Sequence, residues 1–131
     1  MIKNKLPTIN IKGKSYVMVK DRIFAFNELY PNGSISNIIV SYNGGKVVIE
    51  ATVIPDVSNP TRLFRDFSQA DESQGMINKT SALENACTSA VGRALAMMGI
   101  GIVDSFASAD EMVKAGVVKK VSNQDEAPDF I

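Results

Sequence analysis

Apolar and polar positions recur with different periods in successive stretches of the chain, and the period predicts the elements. Between residues 17 and 30, Val19, Ile23, Phe26 and Tyr30 share one face at helical spacing, with Lys20, Asp21, Asn27 and Glu28 elsewhere. Pro31 stops this helix and Asn32-Gly33 makes the turn. Residues 34–42 and 46–54 are rich in β-branched side chains and flank Asn43-Gly44-Gly45, the signature of a tight hairpin whose loop needs positive φ. With Gly44-Gly45 as the loop, Tyr42 faces Val47, Val40 faces Ile49 and Ile38 faces Ala51, which makes one face apolar. The opposite face mixes Ile39, Ser41, Lys46, Val48, Glu50 and Thr52. Pro55-Asp56 and Ser58-Asn59-Pro60 break the chain before residues 61–69, which alternate as a third strand. Arg62, Phe64 and Asp66 then lie on one side, and Leu63, Arg65 and Phe67 on the other. Residues 70–79 read as a polar loop.

Residues 81–98 return to the helical period. Ala82, Leu83, Ala86, Cys87, Ala90, Val91, Ala94, Leu95 and Met98 form a broad apolar face. Ser81 and Glu84 fit a capping box, and Gly99 and Gly101 end the helix. Its other face carries Asn85, Thr88, Ser89 and Gly92, small enough to admit another backbone, beside Arg93. Met97, Met98 and Ile100 suit packing on a sheet. A brief helix starts at Ser108-Ala109-Asp110-Glu111. Residues 1–14 read as a basic arm, with a short strand around residues 9–11, and residues 119–131 as an acidic flexible tail. A single domain over 15–118 lies between them. The expected fold is α+β, a β-β-β-α core in which a long helix covers a three-stranded antiparallel sheet. The alternative is an OB-fold barrel, which lacks two convincing strands after the long helix.

Composition narrows the chemistry. The 131 residues hold 14 Lys+Arg and 14 Asp+Glu, a net charge of zero. Residues 1–65 nevertheless carry +5, and residues 66–131 carry −5. Such asymmetry hints at a polyanionic partner or a separate acidic tail. The chain has no His and one Cys, which excludes His-dependent triads, disulfides within the chain and cysteine zinc sites. Cys87 reads as a buried, inert thiol. Asp71-Glu72 and Asp110-Glu111 are the closest acidic pairs, and neither resembles a catalytic dyad. No phosphate-binding loop motif is present. The expectation is a protein without enzymatic activity or cofactor. No apolar run suits a membrane span or a signal peptide, so a reducing cytoplasm is the expected location.

The basic half is interleaved with aromatics, the pattern of proteins that track phosphates with cations and stack bases on rings at ~1–3 kcal/mol each. Phe24, Phe26 and Phe67 are expected in the core, which leaves Tyr16, Tyr42 and Phe64 as candidate stacking groups.

Two patches resemble a known family. One is Asn78-Lys79-Thr80-Ser81-Ala82-Leu83-Glu84-Asn85-Ala86 through Ser89-Ala90-Val91-Gly92-Arg93-Ala94-Leu95 to Gly99-Ile100-Gly101; the other is Tyr16-Val17-Met18-Val19-Lys20-Asp21-Arg22-Ile23 with Phe26 and Tyr30-Pro31-Asn32-Gly33. Together they resemble phage-encoded single-stranded-DNA-binding and annealing proteins of the Rad-fifty-two-like superfamily, over about residues 16–112. The resemblance implies recombination, replication or repair roles in a host bacterial cytoplasm. It also implies single-stranded DNA as partner, ATP-free annealing and self-assembly into rings or filaments. The DNA contacts expected on these two grounds are Lys14, Tyr16, Lys20, Arg22, Tyr42, Lys46, Arg62, Phe64, Arg65, Lys79 and Arg93. The tail residues Asp125, Glu126, Asp129, Phe130 and Ile131 resemble the tip with which bacterial single-stranded-DNA-binding proteins recruit replication and recombination partners. A strand-protecting OB-type protein and a module targeting a host factor are the rival readings.

Overall fold

A computed structural model describes residues 6–114, with backbone alone for 75–80. Two short antiparallel strands come first, β1 (Ile9–Ile11) and β2 (Lys14–Tyr16), joined through Lys12 and Gly13, both at positive φ. Helix α1 (Val19–Leu29) follows, with Val19, Ala25 and Phe26 buried. Its chain then turns at Gly33, where an added Cβ would stand 2.5 Å from Phe26 Cζ and 2.9 Å from the Ile54 carbonyl oxygen. Glycine is needed there because the Phe26 ring packs directly beneath the backbone.

The main sheet has three antiparallel strands in the order β3 (Ser34–Asn43), β4 (Lys46–Ile54) and β5 (Phe64–Asp71). The central strand buries every second side chain completely, namely Val47, Ile49, Ala51 and Val53. That is the period of a strand with one covered face. Helix α2 (Gly75–Met97) lies on this face against β4 and β5, with α1 beside it. It therefore begins within the stretch expected to be a loop, and a non-helical Ser81 (φ −136°, ψ 28°) kinks it where its start was expected. Gly99 ends it at positive φ, donating its N–H to the Ala96 carbonyl. Helix α3 (Ala109–Lys114) is capped reciprocally: Glu111 N donates to Ser108 Oγ, and Ser108 N donates to Glu111 Oε1.

The architecture is thus α+β, with a three-stranded antiparallel sheet under a long helix and no closed barrel among the described residues. The small-residue face of α2 receives α1, as its size allows: Asn85 and Ser89 are buried, and a Cβ on Gly92 would fall 2.6 Å from Val19 Cγ2.

The hairpin register needs correction. Tyr42 opposes Val47, but an irregularity between Ile39 and Ser41 puts Ile39, not Val40, opposite Ile49, and Asn37, not Ile38, opposite Ala51. A bulge moves the following residues to the opposite face. Ile38 now opposes Glu50 on the face that α1 and α2 leave open.

Candidate nucleic-acid interface

The open face of the main sheet and the termini of its elements carry the exposed cations. Arg65 and Phe67 oppose Thr52 and Glu50, and so share the open face with Ile38. Arg65 Nε stands 2.9 Å from Glu50 Oε2. Phe67, expected in the core, is 48% exposed. It alternates with Phe64 and Asp66, which oppose Val53 and Ala51 on the helix-covered face. Sequence alternation separated these two sets but did not say which one the helices would cover. Phe24 is likewise 67% exposed on α1, because Arg22, Ala25 and Phe26 take the buried positions.

Arg22 is the largest correction. Expected to contact DNA, it is fully buried. Its Nη1 donates to the Gly92 carbonyl at 2.8 Å, and its Nη2 donates to those of Phe106, Gly101 and Ala107 at 3.1, 3.3 and 3.4 Å. The guanidinium thus ties α1 to α2 and to the segment after it. Its Nε has no partner, and burial lowers its pKa against the opposing pull of Glu111 and Asp110. Gly101, at φ +77°, lies so close that a Cβ there would stand 2.6 Å from Arg22 Cγ. A polar residue amid helical apolar positions read as a surface cation; only the packing of residues 101–107 over it makes a buried site. Tyr16 is also removed from the interface, buried with Ile11, Met18 and Ala109.

The remaining expected residues do not form one groove. Arg62 sits 5.1 Å above the Phe64 ring and is otherwise exposed. Arg93 lies on the helix-covered side, 3.3 Å from Asp66 and 3.7 Å from Glu111, over the Phe106 ring. Lys46 opposes Asp71 at the hairpin end, six residues along β5 from Arg65, or roughly 20 Å at strand rise. Beside it, the Tyr42 hydroxyl donates to Glu72 Oε2 at 2.6 Å, which raises the Tyr42 pKa. Lys14 and Lys20 flank the junction of β2 with α1. The side chain of Lys79 and the tail residues Asp125, Glu126, Asp129, Phe130 and Ile131 lie outside the described residues. Cys87 is half-buried, its thiol pKa pushed up by burial and by Glu84. No described helix is long and apolar enough to cross a membrane.

The unit α1-β3-β4-β5-α2 coincides with the one family model that matches. It covers residues 23–98 and bears the description Slr1353 N-terminal dsRNA-binding domain-like. No curated protein and no solved structure matches. This match overturns the assignment to the Rad-fifty-two-like annealing family: the helix run from Leu83 to Leu95 that carried the resemblance falls within the matched residues of a different family. The chain, matched over more than half its length, belongs to the Slr1353 N-terminal dsRNA-binding domain-like family.

Proposed function

We propose that this domain binds double-stranded RNA and recognises the duplex by shape and phosphate rather than by sequence. The observation that carries the reading is the α1-β3-β4-β5-α2 unit itself, with both helices on one sheet face, over the residues matched by a dsRNA-binding-like family. An A-form duplex hides its base edges in a deep major groove and presents 2′-hydroxyls and phosphates. Recognition then asks for a rigid surface with spaced cations, not for a pocket. Lys12, Lys14, Lys20, Lys46 and Arg62 are exposed and make no ion pair with another described residue. They are the favoured phosphate contacts. Arg65 and Arg93 are partly neutralised by Glu50, Asp66 and Glu111 and rank below them.

A second reading keeps single-stranded nucleic acid as the ligand, on the open sheet face. Its support is Phe67, half-exposed next to Arg65 on that face, where a base could stack for ~1–3 kcal/mol. One experiment separates the two. Fluorescence anisotropy at low salt compares an RNA duplex, a DNA duplex, single-stranded RNA and single-stranded DNA of equal length. The duplex reading expects preference for the RNA duplex and a logarithmic salt slope that shrinks in a Lys14→Gln/Lys20→Gln/Lys46→Gln variant, by about 0.7–0.9 for each phosphate no longer neutralised. Absence of preference for the RNA duplex refutes it. Preference for single strands that is lost in Phe67→Ala establishes the second reading instead.

A further inference from the structure

Strand β3 is an edge, hydrogen-bonded to β4 on one side only. It is ten residues long and carries no charge. At its middle, Ile38, Ile39 and Val40 are 60%, 54% and 52% exposed. Proteins that stay monomeric blunt such an edge with Lys, Pro or inward charges, and β3 has none of these. The other edge, β5, carries Arg65, Asp66 and Asp71. Helix α2 leans on β4 and β5, so even the helix-side residue Ile39 stays open.

We propose that β3 is an interface between two copies of this chain, paired antiparallel about a two-fold axis near Ile39 to make one continuous six-stranded sheet. The occupant follows from the strand's own symmetry. The apolar triplet is centred, Ile35 and Tyr42 lie outside it at similar distances, and Ser34, Ser36 and Asn37 on one side answer Ser41 and Asn43 on the other. A two-fold axis through the middle therefore sets apolar on apolar and neutral polar on neutral polar, with no like charges opposed. A strand of different sequence would match this edge only by chance. The arrangement also closes: the pair uses both β3 edges and leaves two charged β5 edges outside, so it stops at a dimer rather than growing into a fibre. This pairing is independent of which nucleic acid the domain binds.

Sedimentation equilibrium of the full chain, taken to about 100 μM so that micromolar contacts are populated, reads the association. The expected result is a reversible dimer. Ile38→Lys, at the most exposed position of the triplet, should weaken it at least about tenfold, since like charges on facing strands repel. The melting temperature at low concentration should match that of the unmodified monomer. Val40→Lys serves if Ile38→Lys fails to fold. Mixing the Lys variant with a Glu variant at the same position should restore a dimer. A monomer throughout, a larger assembly, a dimer indifferent to the lysine, or a mixture that stays monomeric each overturns the proposal.

Discussion

Replacing Arg22 tests whether this residue is a strut or a contact. It is fully buried and bonds four backbone carbonyls, two of them at 2.8 and 3.1 Å and two longer. Hydrogen bonds from a charged donor contribute ~1.5–3 kcal/mol each net, so the two short ones suggest about 3–6 kcal/mol. Against this stands the cost of burying a guanidinium, felt as a lowered pKa, which removal would relieve. Truncation to Ala also opens a cavity between α1, α2 and residues 101–107, and comparable truncations of large side chains cost about 2–5 kcal/mol. These opposing effects place Arg22→Ala at about 3–4 kcal/mol less stable. Arg22→Met keeps most of the volume and loses only the donors, for about 2 kcal/mol. In melting temperature the Ala variant should fall by about 10–15 °C for a domain of this size. Urea unfolding followed by circular dichroism measures both variants. A loss under about 1 kcal/mol in the Ala variant would refute the buried strut. So would nucleic-acid binding abolished at unchanged stability, which would return Arg22 to the surface.

Other outcomes follow from the same packing. Gly92→Ala should cost about 1–3 kcal/mol by driving a methyl into Val19 Cγ2, and Val19→Ala in the same chain should return part of it, as a double-mutant cycle in urea would read. The Tyr42 hydroxyl donates to Glu72, so its neutral form is favoured and its pKa raised. That contribution is complete below the ordinary tyrosine pKa of about 10 and is lost as pH rises through the raised value. The phenolate titration isolated by subtracting Tyr42→Phe should thus move down in Glu72→Gln; an unmoved midpoint contradicts the bond. Asp56 accepts from Ser58 N and Asn32 Nδ2, which lower its pKa, Ser58 most. Its contribution is present above the ordinary carboxylate pKa and is lost as pH falls through the lowered one. Stability should therefore fall less steeply below about pH 4 in Asp56→Asn than in the unmodified chain; equal slopes would remove the effect.

The elements were largely legible because each has a local cause. Period 3.6 marks α1 and the body of α2, β-branched runs around Gly44-Gly45 mark the hairpin, and Ser108 with Glu111 announces α3. The candidate site was much less legible. Arg22 and Tyr16 have the residue types of a surface contact and the burial of core members, because residues 101–109 fold back over them. Phe24 and Phe67 have core residue types but face outward, since α2 covers only one side of β5 and Arg22 takes a buried place on α1. The cations that cluster in the first half of the chain lie on both faces and both ends of the sheet. Charge counted along a chain carries no information about direction in space.

From sequence alone came the α+β class, the order of helix, three strands and helix, the hairpin loop and the small-residue face of α2, all set by local propensity and by spacing within one element. Tertiary structure alone decided which face of each strand is covered, where the hairpin slips by one residue, and that an arginine serves as an internal strut. Each of these depends on contacts between segments distant in sequence. A one-residue bulge or a folded-back segment reverses inside and outside without altering the pattern of any single element.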